Sequence, residues 1–137
     1  MKKVTTSDLA KRLMTQALAQ AVRAGGSVNI YGGERVGRSE PASLMSLLCA
    51  AKVKSCDMLD GTTTLKIALE SAYVVQDGEP KWFRVAAADG SGLWDGEAGL
   101  EKDDPDLVVP AERLVKGIRV EFEMFEHSLF FLQPEEE

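Results

Sequence analysis

The sequence predicts a mainly β protein: an antiparallel β-sandwich or jelly-roll-like domain with one N-terminal helix. Three observations carry this. Apolar residues recur at helical spacing only near the start of the chain. After Gly25-Gly26 the spacing changes to an alternation of two. Turn-forming clusters then interrupt the chain roughly every 8–12 residues, which fits about six to eight short strands. No internal repeat or linker breaks the 137 residues, so a single domain over 1–137 is expected, with an acidic tail, about 133–137, that is loose.

The helix is expected at about 8–23. Ser7 can cap it, and Asp8 suits the positive end of its dipole. Leu9, Leu13, Ala17 and Ala21 form one apolar row, and Met14, Leu18 and Val22 form the adjacent one. The glycine pair ends it. Val28 and Ile30 then alternate with Asn29 and Tyr31 as a first strand. The loop GGERVGRSEP follows. Leu44, Leu47, Leu48 and Ala51 fit a helix, while residues 47–53 also fit a buried strand; the plainly β pattern of the next segment favours the strand. In that segment Leu65, Ile67 and Leu69 mark another strand, which Asp77-Gly78 separates from the next.

The stretch KWFRVAAADGSGLWDG, residues 81–96, reads as a hairpin between Asp77-Gly78 and Asp95-Gly96. Asp89-Gly90-Ser91-Gly92 supplies the turn. Trp82 and Arg84 face one side, and Phe83, Val85 and Ala87 the other. Leu93 and Trp94 begin the return strand. Ala86 to Ala88 permit a close neighbour. Trp82, Arg84 and Trp94 form either a ligand platform or the core and rim of the hairpin; the second reading is preferred because no convergent polar chemistry lies nearby. Near the end, Ile118, Val120, Phe122 and Met124 alternate with Arg119, Glu121, Glu123 and Phe125 as a half-buried strand. The expected core gathers Val28, Ile30, Leu65, Ile67, Phe83, Val85, Val120, Phe122 and Met124.

The net charge of -6 argues against sequence-independent nucleic-acid binding, which needs a basic face. The first twelve residues lack the apolar run of a signal peptide, and no stretch approaches the roughly 20 apolar residues that span a bilayer. Synthesis in a cytoplasm is expected, with no membrane partner. Cys49 and Cys56 lie seven apart without a nearby histidine, which is not zinc spacing. They read as free thiols packed as small hydrophobes, with a disulfide left open.

Residues 32–39, GGERVGRS, approach the phosphate-loop pattern. However, Arg38 stands where lysine belongs, Glu34 adds negative charge, and Pro41 comes almost at once in a β context. An inter-strand loop suited to a subunit contact is the expectation, without ATP binding. His127, the one histidine, sits in FEHSLFF with no nucleophile motif around any serine, and reads as a strand-end residue. The acidic run at residues 101–106 lacks the ligand pattern of a calcium loop. No catalytic residue, cofactor site or metal site is therefore assigned. The candidate subunit contacts are Glu34, Arg35, Arg38, Trp82, Arg84 and Trp94, with the helix at 8–23 and the loop at 32–41 as contact surfaces.

In layout the chain resembles small virion structural proteins of tailed bacteriophages. The resemblance covers roughly residues 9–132. It rests on the helix ending in glycines, the VNIYGG strand, the proline-bearing loop, the WFRVAAADGSGLWDG hairpin and the segment LVVPAERLVKGIRVEFEMF. It implies a non-enzymatic capsid decoration or cement protein that stabilises the head, carried on the virion and made in the host cytoplasm. The implied partners are the major capsid protein or another virion protein, and further copies of the chain in a small homo-oligomer. A tail, neck or host-binding protein of a phage is the alternative in the same setting. A β-sandwich ligand-binding domain is the alternative outside it.

Overall fold

The computed structural model describes residues 7–37 and 41–130. One α-helix, α1 (Asp8–Arg23), precedes nine strands. These are β1 (Ser27–Tyr31), β2 (Leu47–Met58), β3 (Thr64–Leu69), β4 (Ala72–Tyr73), β5 (Trp82–Ala86), β6 (Gly92–Gly99), β7 (Leu107–Val108), β8 (Arg119–Val120) and β9 (Phe125–Ser128). The protein is mainly β, with one α-helix and a nearly closed sheet. Seven strands form that sheet in the order β7-β6-β5-β1-β2-β3-β9, and β4 pairs with β8 in a separate ribbon.

The long strand β2 organises the sheet. Its first half pairs with β1, from Lys52 opposite Ser27 to Leu47 opposite Tyr31. Its second half pairs with β3, from Val53 opposite Leu69 to Met58 opposite Leu65. The register shifts between Val53 and Ser55. An extra residue there flips the alternation and bends the strand. Cys49 and Ala51 are buried before it and Cys56 after it, so both halves still present side chains to one core. The bend brings β9 round to β5 and β6, where Phe125 sits edge-on to Phe83 with ring centres 6.1 Å apart. The β4–β8 ribbon runs along the free side of β2: Val75 N–H donates to Leu48 O at 2.7 Å and Glu70 N–H to Lys52 O at 2.9 Å.

Helix α1 begins as expected, with the Ser7 hydroxyl accepting from Ala10 N–H at 3.1 Å. It closes through Gly25, whose φ of 119° suits only glycine. Of the two apolar rows only the second, through Leu18 and Val22, reaches the core. Thr15, Ala19 and Val22 are buried, while Leu9 and Leu13 are 60% and 57% exposed. The helix lies against β2 and, less extensively, β3, on a narrow side of mostly small residues. There Thr15 satisfies its hydroxyl on Lys11 O at 2.8 Å. The helix exit passes close to β5: a Cβ on Gly26 would stand 2.7 Å from Ala86 O, and one on Gly25 3.3 Å from Ala88 Cβ. The close neighbour of the three alanines is thus the chain's own helix terminus.

Two further expectations are corrected. The alternation at 118–125 is not one strand. Residues 119–120 pair with β4, residues 121–124 have no strand pairing, and β9 begins at Phe125 and pairs with β3. Val120 is buried, but Ile118 and Met124 are 56% and 51% exposed and Phe122 is half-buried. Phe125, expected outside, is buried. Different partners for the two ends override the local period. Likewise the hairpin does not end at Asp95-Gly96, which lies in the middle of β6. A Cβ on Gly96 would meet Phe83 Cζ at 2.4 Å, so the glycine makes room for that ring. The other expected core residues, Val28, Ile30, Leu65, Ile67, Phe83 and Val85, are all fully buried.

Candidate functional site

The β5–β6 hairpin places its side chains in two clusters. Arg84 lies opposite Asp95, Phe83 opposite Gly96 and Val85 opposite Trp94. Strand alternation therefore puts Trp82, Arg84 and Asp95 on one face, and Phe83, Val85 and Trp94 on the other.

On the first face Arg84 grips Asp95 with two bonds, Nε to Oδ1 at 2.7 Å and Nη2 to Oδ2 at 3.1 Å. Their side chains are 8% and 2% exposed. The Asp95 carboxylate, by hydrogen bonding first and by its charge, holds the guanidinium still more firmly protonated. Trp82 stacks on Tyr31 with ring centres 4.5 Å apart, and the guanidinium carbon of Arg84 stands 5.3 Å from the Trp82 ring centre. The loop after β1 covers this layer, and Gly37 O accepts from Arg84 Nη2 at 3.3 Å. A Cβ on Gly92 would fall 2.9 Å from Arg84 Cδ, which explains the glycine at the start of β6.

On the second face Trp94 Nε1–H donates to His127 Nε2 at 2.8 Å. The His127 ring lies 5.5 Å from Phe125, 5.9 Å from Trp94 and 6.0 Å from Phe83, centre to centre. Burial lowers its pKa below 6.5, and the Asp106 carboxylate opposes that only in part. With Nε2 accepting, the neutral ring carries its proton on Nδ1, which is buried without a partner among the described residues. A cavity of about 360 Å³ opens beside the ring, walled in part by Arg35, Val36, Asp106 and Leu129.

The structure divides the predicted contact residues. Trp82, Arg84 and Trp94 are 2%, 7% and 8% exposed, and they do not form one platform, because Trp94 faces away from the other two. They serve the hairpin's two packing layers rather than a contact surface. Glu34 and Arg35 are exposed. Arg38 and the tail at 133–137 lie outside the described residues. The glycine-rich loop leads, beyond residue 40, to a short 3₁₀ turn and antiparallel β2, not to the helix that a phosphate loop needs. Both cysteines are free and buried, and burial pushes each thiol up to about 11, so neither is a ready nucleophile. Among the described residues no three His, Cys, Asp or Glu side chains gather to hold a metal.

A third feature lies around β4–β8. Leu44 and Met45 are 79% and 88% exposed, and Tyr73, Val75, Val115 and Ile118 are each about half exposed or more. They belong to one region. Gln76 Nε2 donates to Met45 O at 2.7 Å, while Val74 N–H donates to Ile118 O at 2.9 Å and Gly117 N–H to Val74 O at 2.8 Å. Exposed Arg113, Lys116 and Arg119 stand among these residues in the sequence.

Sequence reasoning missed the Arg84–Asp95 pair and the Trp94–His127 bond. No local turn rule gives these partners: the turn pairs Ala86 with Gly92, and a bulge between Val85 and Ala86 then sets 84 opposite 95 and 85 opposite 94. Comparison with protein-family models, curated proteins and solved structures gives no match.

Proposed function

We propose that this chain works by docking, as a capsid decoration or cement protein that stabilises the head of a tailed bacteriophage. The observation that carries the docking reading is the exposed apolar surface around β4–β8, with Leu44, Met45, Tyr73, Val75, Val115 and Ile118. Large apolar side chains left exposed in one region mark a site of protein association. The resemblance in layout to small phage structural proteins supports the virion as the setting and the major capsid protein as the partner. Glu34 and Arg35 extend the contact from the loop after β1, and the virion is the resting place of a protein made in the host cytoplasm. The finer fold type belongs to this reading: the curled sheet with the β4–β8 ribbon beside it serves as a sandwich- or jelly-roll-like support. Many weak contacts repeated over a lattice, between copies as well as with the shell, give firm attachment at high effective concentration.

The test mixes purified protein with undecorated heads and counts bound copies. Met45→Ser, Val115→Ser and Ile118→Ser should each lower occupancy, and Arg35→Glu should do so more strongly at low salt, all with unchanged circular dichroism. Unchanged occupancy in every variant rejects these surfaces. Wild-type protein that ignores heads and binds tails overturns the head reading, and binding to neither overturns the virion reading.

A further inference from the structure

We propose that the Trp94–His127 hydrogen bond is an acid-released latch that holds β9 against the β5–β6 hairpin. Donor and acceptor identity set its chemistry. An indole Nε1–H can only donate, so at 2.8 Å the facing His127 Nε2 must offer a lone pair. An imidazolium has none, because both of its nitrogens carry protons. Protonation therefore turns the bond into two opposed donors inside an aromatic cluster.

The position of the bond makes this a structural event. Among the described residues β9 pairs through the backbone with β3 alone. Its hold on β5 and β6 is made by side chains: Phe125 on Phe83, and His127 on Phe83 and Trp94. Only the Trp94–His127 bond among these is directional.

The charged groups around the ring do not neutralise the switch. Asp106, on the strand approach to β7, favours the imidazolium but is outweighed by burial. Asp95 beside Trp94 is committed to Arg84. Arg35 lines the adjoining cavity and opposes a second positive charge. Lys66 on β3 and Glu126 on β9 lie opposite each other and are exposed, on the side away from the ring. A histidine whose folded pKa lies below its free value stabilises the fold fully above about 6.5. That contribution is lost as the pH falls from there through the folded-state value.

His127 is the sole histidine and Trp94 one of two tryptophans, so nuclear magnetic resonance can follow both in the whole chain. The His127 ring should titrate below 6.5. The Trp94 indole N–H signal should shift at the same midpoint and exchange with solvent at least tenfold faster below it, while the Trp82 indole stays unchanged. His127→Gln, which keeps an acceptor but cannot titrate, should abolish the Trp94 inflection; Trp94→Phe should move the His127 midpoint upward. A wild-type His127 midpoint at or above 6.5, or a Trp94 indole indifferent to it, overturns the latch, and this holds even if neither variant folds. A Trp94 inflection that persists in a folded His127→Gln protein also overturns it.

Discussion

Asp95 sits at the most charged point of the interior, with both carboxylate oxygens engaged by Arg84. Removing one member of such a pair leaves the other ion buried without a counter-charge. Asp95→Asn should therefore destabilise the fold by about 3–5 kcal/mol, read as a lower urea midpoint. Arg84→Met combined with Asp95→Leu should recover most of that loss, because it removes both charges and keeps the volume. A double variant as unstable as Asp95→Asn would show that the pair does more than offset its own burial. The sequence marks Arg84 as a candidate contact residue and Asp95 as the end of the hairpin. Residue type alone does not distinguish a charge aimed at a partner from one aimed across a hairpin. Register does, and here a bulge between Val85 and Ala86 sets it.

Among the elements, α1 shows how a correct boundary can accompany a wrong face. Its start, cap and stop follow from Ser7, Asp8 and Gly25, since these act on the local backbone. Hydrophobicity alone does not choose between its two apolar rows: Leu18 and Val22 of one pack on the core beside Thr15 and Ala19, while Leu9 and Leu13 of the other stay outside. Val22→Ala should cost on the order of 2 kcal/mol in unfolding free energy through lost burial and the cavity left behind. Leu13→Ser should stay within about 0.5 kcal/mol apart from helix propensity. The reverse order in thermal melts would return Leu13 to the core face. The alternation at 118–125 carries a related lesson. Two short strands with different partners, β8 on β4 and β9 on β3, were read as one because a period of two does not record a change of partner.

For the molecule as a whole, β2 matters most. It pairs with β1 in its first half and β3 in its second, and α1 packs across it. Neither half of the sheet can be lost without exposing the core of the other. Unfolding should therefore be one cooperative transition: tryptophan fluorescence, which reports on β5 and β6, and far-ultraviolet circular dichroism should give coincident urea curves. An earlier fluorescence transition at neutral pH would mean that the hairpin opens separately. Outside this core, as at Leu9 and Leu13 on α1, the fold leaves large apolar side chains in water around β4–β8. The docking reading rests there rather than on the buried tryptophans.

The mainly β character, the single helix and its ends, the hairpin at 82–94 and the greater part of the core were legible in the chain alone. Each of these depends on neighbours a few residues apart, whose spacing the chain carries openly. Three outcomes needed the assembled fold: which side of α1 is buried, where the alternation changes partner, and that Trp82 and Trp94 face opposite ways inside the protein. The meeting of His127 with Trp94, residues 33 apart in the chain, is a fourth. The last depends on the bend in β2 that curls the sheet on itself, and the others on which elements meet and in what register, properties of the assembly rather than of any one strand.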